Sequence, residues 1–258
     1  MKFIFGVILI LGGLTLIVFL WPKFSLIPNL ASRPPSRQSA VIYQEPDAGL
    51  PNVQFQAVIA GGWSSPLPKG RISLVNRDQR PVNVSGWLIK GNIGSYYIGK
   101  AVEVYDPTGL NEAGTIFLAP GSVLHIYSYP GPIDRNFQVN KCLGYLQNSN
   151  QFDPPLTNLC PRFEKGDVAH LSGSCQRYLR SLPRCALPDD NSPLWQDRNC
   201  AEKLSQLNYK SCFENHRLDR DFLTGEWRLY GSGQVLDLLH DQVYLFDQQG
   251  MVVDSYVY

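Results

Sequence analysis

The sequence predicts a mainly β protein: an antiparallel sandwich or barrel of short strands, interrupted by a Cys-rich, partly helical insertion and preceded by a single transmembrane helix. Three observations lead there. From residue 53 apolar and polar residues alternate over short runs divided by Gly- and Pro-containing turns, the period of half-buried strands. All six cysteines of the 258-residue chain fall between Cys142 and Cys212, where the apolar spacing turns helical. Residues 3–21, FIFGVILILGGLTLIVFLW, contain no charged residue and no Asn, Gln, Ser or Pro.

As a helix that run covers about 30 Å, the thickness of a bilayer's hydrocarbon core, and it reads as a retained anchor. A cleaved signal peptide is the alternative, but its apolar core is usually about 7–15 residues long. Asn29-Leu30-Ala31-Ser32 is also a poor cleavage site. Lys23, Arg33 and Arg37 follow the span and only Lys2 precedes it, which by the positive-inside rule leans towards a cytoplasmic C-terminal part. The even cysteine cluster leans the other way, to a disulfide framework in an oxidising compartment. Long domains translocate despite flanking charge. The expectation is therefore a single-pass membrane protein whose C-terminal domain is extracytoplasmic. Residues 22–52, punctuated by Pro22, Pro28, Pro34, Pro35, Pro46 and Pro51, read as a partly extended linker.

The first strand is Val53 to Ile59, where Val53, Phe55, Ala57 and Ile59 share one face. Ile72, Leu74 and Asn76 continue the pattern. Val82 to Ile89 reads as a further strand, and Thr115 to Leu118 as another. Ala119-Pro120-Gly121 makes a turn into Val123 to Tyr127. After a long gap come Glu226 to Tyr230, then Asp241 to Phe246 and Met251 to Tyr256 around the hairpin turn Asp247-Gln248-Gln249-Gly250. Trp87 is expected to fill the core, with Gly86 allowing a bend before it.

Three of these stretches resemble the lamin-tail domain. They are N-x-x-x-x-P-V-x-V-S-G-W-x-L/I at Asn76 to Ile89, L-x-P-G-x-x-L-x-I at Leu118 to Ile126, and D-x-V-x-L-x-D-x-x-G-x-V-V-D-x-x-x-Y at Asp241 to Tyr258. They occur in the family's order. The resemblance implies an immunoglobulin-like β-sandwich and a binding or structural module, not a catalyst. Bacterial versions often stand on a membrane anchor. Residues 53–129 and 223–258 together make about 113 residues, the size of one such sandwich. Residues 130–222 have no counterpart in a minimal domain and read as the Cys-rich insertion within a 53–258 domain.

Within the insertion, Gly166 to Leu182 and Asp197 to Leu207 carry helical spacing. Cys142, Cys160, Cys175, Cys185, Cys200 and Cys212 are the disulfide candidates, and the expected pairing joins sequential neighbours: Cys142 with Cys160, Cys175 with Cys185, Cys200 with Cys212. Each bridge would contribute about 2–4 kcal/mol to a segment with little core of its own. A zinc site would draw on His125, His170, His216 or His240, but no close Cys pair supports it. Asp189, Asp190, Asp219 and Asp221 lack the spacing of a calcium loop and read as solvated turns.

With 23 Lys+Arg against 22 Asp+Glu the chain carries a net charge of +1, so its bulk is not expected to bind nucleic acid. No G-x-S-x-G, H-E-x-x-H or G-x-G-x-x-G is present. Gly94 to Lys100 has the glycine and lysine spacing of a phosphate loop, but Ala101 stands where a magnesium-holding hydroxyl is needed. The sequence thus points to no catalytic residue, cofactor or metal. It is read as a non-catalytic, membrane-anchored extracytoplasmic binding or structural module whose partner is a protein or an envelope polymer. The alternative is an extracytoplasmic hydrolase with an unmarked active site.

Overall fold

The computed structural model describes residues 49–61, 69–231 and 233–258. The transmembrane segment expected at 3–21 and most of the linker expected at 22–52 lie outside the described residues. Among the described residues no helix is long and apolar enough to cross a membrane. These residues are mainly β. In chain order the strands are β1 (Val53–Ile59), β2 (Arg71–Asn76), β3 (Val82–Asn83), β4 (Leu88–Lys90), β5 (Ser95–Tyr97), β6 (Phe117–Leu118), β7 (Val123–Tyr127), β8 (Phe137–Asn140), β9 (Leu223–Tyr230), β10 (Gln242–Phe246) and β11 (Val252–Val257). One sheet has the order β1-β2-β7-β9-β8 and a second β11-β10-β4-β5, while β3 and β6 form a short pair.

The inward faces of the two larger sheets supply one core. Leu74, Leu124, Trp227 and Leu229 come from the first, Ile89, Val243 and Leu245 from the second. Trp87, 3% exposed, lies among them, as its size and position predict. The strand expected from Val82 to Ile89 is broken in two, because Gly86 takes a φ of +82°, a left-handed conformation open mainly to glycine. Asn76 is fully buried, and its amide donates to the carbonyls of Leu118 (2.7 Å) and Arg80 (2.9 Å). Its carbonyl oxygen accepts from the Asp78 N–H, so one side chain clamps the turn after β2 to β6. Asp247 likewise accepts from the Gln249 and Met251 N–H groups and closes the β10–β11 hairpin, with Gly250 at φ +79°.

The expected antiparallel pairing is corrected at one place. β7 and β9 run parallel, with Leu124 opposite Trp227 and Ile126 opposite Leu229. A parallel pair requires a long crossover, and the Cys-rich segment provides it. That segment also contributes β8, which pairs antiparallel with β9. The α-helices among the described residues lie in the same segment: α1 (Lys165–Val168), α2 (Gly173–Ser181), α3 (Arg198–Ser205) and α4 (Tyr209–His216). The single helix expected from Gly166 to Leu182 is therefore two, interrupted where Ser172 caps α2. Phe137, Leu143, Phe152, Val168, Leu179, Leu204, Phe213 and Phe222 build a second core here, with Tyr230 of β9 packed against it. β9 thus serves two cores, Trp227 and Leu229 facing one and Tyr230 the other.

Candidate functional site

The six cysteines form three bridges: Cys142–Cys212, Cys160–Cys185 and Cys175–Cys200. The expected sequential pairing is wrong at every bridge. Helix geometry gives the reason at Cys175. That residue lies in the first turn of α2, and the helix carries the chain about 9 Å away before Ser181. Disulfide Cα atoms need to lie within about 7 Å. The first turn of α3 supplies the partner instead. Ser172 caps α2 by accepting from the Cys175 N–H, and Asp197 caps α3 by accepting from the Cys200 N–H. The two caps touch, since the Ser172 hydroxyl donates to Asp197 Oδ2 at 2.8 Å. That hydroxyl and the Cys200 N–H hold the Asp197 carboxyl below its ordinary value.

The Cys160–Cys185 bridge shapes the surface. Gly144 lies under it, where any Cβ would collide with the Cys185 sulfur. Cys185 takes a φ of +62°, a left-handed conformation that costs about 1–3 kcal/mol in a residue other than glycine. With Cα atoms 5.2 Å apart, the bridge holds the segment Cys160-Pro161-Arg162-Phe163 beside Pro183-Arg184-Cys185. Two concavities flank that segment. One, of about 350 Å³, continues towards Lys203, Asn215 and His216; the other, of about 250 Å³, towards Arg180, Leu182 and Arg184. Both share Tyr145, Pro161, Arg162, Phe163 and Leu207.

The charges here are mostly of one sign. Arg162, Arg180, Arg184 and Lys203 line the two concavities, and none has a carboxylate within ion-pair distance among the described residues. Lys203 Nζ lies 5.0 Å from the centroid of the Phe163 ring, a cation–π approach. Asp167 lines the first concavity, but its carboxylate accepts from the Glu164 N–H and serves the start of α1. His216 also turns towards a carboxylate, with its Nδ1 2.8 Å from Asp219. The neighbouring acidic residues are occupied. Lys141 Nζ reaches Asp219 at 2.7 Å and Asp221 at 2.6 Å, and holds both carboxyls below their usual range. Asp189 spends its side chain on the Asn191 N–H. Of the aspartates weighed as a calcium loop, Asp189 is thus engaged in a turn and Asp219 and Asp221 in ion pairs. Of the histidines weighed for zinc, His170 is exposed, and His240 lies in the turn before β10.

A second polar group lies on the first sheet, on the face turned away from the shared core. Ser73 Oγ is 2.8 Å from His125 Nδ1. Burial pushes the His125 imidazole below its ordinary value; Glu226 opposes this, and the charges of Arg71 and Arg228 add to it. Arg228 is 3% exposed and donates to Glu226 Oε1 (2.6 Å) and to the carbonyls of Pro154 (2.7 Å) and Pro155 (3.2 Å). It thereby fastens the Asp153–Pro155 strap of the Cys-rich segment over this sheet. Burial raises the neighbouring Tyr127 phenol to about 12. His125 and Glu226 share a shallow groove of about 280 Å³ with Thr157, Thr224 and Gly225.

Four residues that matter most here, Arg162, Arg180, Arg184 and Lys203, were not legible as a set. A faint signal exists: from Cys160 to Ala186 five basic residues stand against two acidic ones in a chain otherwise near neutrality. Of those five only Arg162, Arg180 and Arg184 line the concavities, and Lys203 joins them from α3. Comparison with protein-family models, with characterised proteins and with solved structures finds no match to this chain.

Proposed function

We propose that the chain is a non-catalytic binding module held to a membrane by residues 3–21, with its folded part extracytoplasmic. The two larger sheets are an immunoglobulin-like, lamin-tail-type scaffold, and the cross-linked Cys-rich segment is its recognition surface. The observation that carries this reading is the pair of concavities around Arg162, whose cations have no acidic partner among the described residues while the bridges hold the backbone beneath them. Binding residues commonly sit on loops fixed by a rigid scaffold. The three bridges support the oxidising compartment, and the apolar run 3–21 supports the anchor.

The test is chemical cross-linking of intact cells followed by capture of the full-length protein. A partner, protein or envelope polymer, is expected on the wild type and lost when Pro161→Gly, Arg162→Ser and Phe163→Gly are combined. Undiminished capture by that variant contradicts the reading. A hydrolase reading has one foothold, the His125 imidazole beside Glu226 in an open groove. Ser73, its hydrogen-bond partner, is only 2% exposed and is therefore shielded from any substrate in that groove. Turnover of any envelope substrate abolished by His125→Gln would favour that reading instead.

A further inference from the structure

We infer that the two concavities around Arg162 form one continuous site for an anionic polysaccharide bearing carboxylates, such as a uronic acid polymer. This rests on the binding-module reading above and names the ligand class of the same site.

The charge argument comes first. Arg162 lies on the ridge common to both concavities, Arg180 and Arg184 lie on one side and Lys203 on the other. Four cations thus follow the ridge with Asp167 as the one carboxylate among the lining residues, and that one is hydrogen-bonded to backbone. Concave surfaces lined by one sign of charge concentrate ligands of the other. Three of the four are arginines, whose planar guanidinium pairs with a carboxylate through two parallel hydrogen bonds.

Shape and chemistry then select among anionic partners. The ridge carries apolar surface from exposed Pro161 and half-buried Phe163, while Tyr145 and Leu207 are buried at its base. A polymer of sugar rings offers apolar C–H faces to such a ridge and carboxylates at its flanks. An acidic peptide is less well served. The lining residues belong to helices and irregular segments, so the site has no strand edge to add a strand to. The two openings on either side of one ridge suit a linear ligand that straddles it.

The bridge Cys160–Cys185 makes this a built surface. It fixes Arg162 opposite Arg184 without help from a ligand, which lowers the ordering cost of binding.

The experiment uses the full-length protein in detergent micelles and titrates polygalacturonate, poly(glycerol phosphate), poly-glutamate and neutral dextran by calorimetry. Polygalacturonate is expected to bind with an affinity that weakens as salt rises, and dextran not to bind. Combining Arg162→Gln, Arg180→Gln, Arg184→Gln and Lys203→Gln should weaken binding about tenfold or more. Removing equal charge elsewhere with Arg77→Gln, Arg80→Gln, Lys90→Gln and Lys100→Gln should leave it within about twofold. All eight positions are solvent-accessible, and an unchanged thermal transition confirms that each variant is folded. Equal weakening by both variants, or no binding of polygalacturonate, overturns the inference. Tighter binding of poly-glutamate or poly(glycerol phosphate) than of polygalacturonate overturns it too. If polygalacturonate fails while cells still yield a partner that depends on residues 161–163, the ligand class is wrong and the binding-module reading stands. If both fail, both are wrong.

Discussion

Arg228 joins the two halves of the described structure. It is almost wholly buried, and its guanidinium reaches Glu226 on its own strand and two carbonyls of the strap at Pro154 and Pro155. Arg228→Gln should cost about 3 kcal/mol in denaturant unfolding, because it leaves Glu226 and both carbonyls without their donor. Lys69→Gln, which removes the Asp153 ion pair between side chains more than half exposed, should cost under about 1 kcal/mol. Equal costs would contradict the assignment of the strap's attachment to Arg228. His125 lies in the same cluster, faced by Ser73 and Arg71 from β2 and by Glu226 and Arg228 from β9. Its folded pKa lies below its ordinary 6.5, so below that pH the unfolded chain binds more protons than the folded one. Stability should rise with pH between the depressed value and 6.5, then level off. Urea midpoints at about pH 5.5 and 7.5 should differ more in wild type than in His125→Gln; an equal difference refutes the buried-imidazole origin. None of this was legible beforehand. Period-two spacing marks which face a residue occupies, but Ser73, His125 and Arg228 become neighbours only through the register of β2, β7 and β9.

At the scale of elements, the strands with strong alternation were read with their bounds nearly intact. Val53–Ile59 and Val123–Tyr127 match the expectation at both ends. The short β5 and β8 were missed. Ser95–Tyr97 is three residues, too few to show a period, and Phe137–Asn140 sits at the edge of a region that reads as loop. Helix α4 was missed because Tyr209, Cys212 and Phe213 bury only one turn's worth of apolar surface. The disulfide connectivity could not be read from spacing, since it depends on α2 and α3 meeting at their N-caps. The bridges should contribute unequally. Loop-closure entropy gives the Cys142–Cys212 link, spanning 70 residues, about 1 kcal/mol more than the Cys160–Cys185 link, spanning 25. Replacing each pair with alanine and measuring urea unfolding checks the order. A larger loss from Cys160→Ala with Cys185→Ala would contradict the loop-length order.

For the whole molecule, the proposal is a β scaffold that carries a cross-linked segment and is tethered to a membrane by residues 3–21. Carbonate and high-salt washes should leave the full-length protein in the membrane fraction, because the apolar run at 3–21 is long enough to span. A soluble chain beginning near Ser32 would instead mean that the run is cleaved. The second core reaches from the Cys-rich segment into β8 and β9, so the segment is packed against the sheet as well as bridged internally. That continuity limits how freely it can be excised and makes point variants on its surface the better probe. The most direct measurement of where recognition resides is site-specific photo-cross-linking in intact cells. A photoreactive residue would be placed at position 162, between the two concavities, or at position 97, where Tyr97 is 68% exposed on the edge strand β5. The account predicts a discrete adduct from position 162 and none from position 97. An adduct from position 97 with none from position 162 would place recognition on the sheets and contradict it.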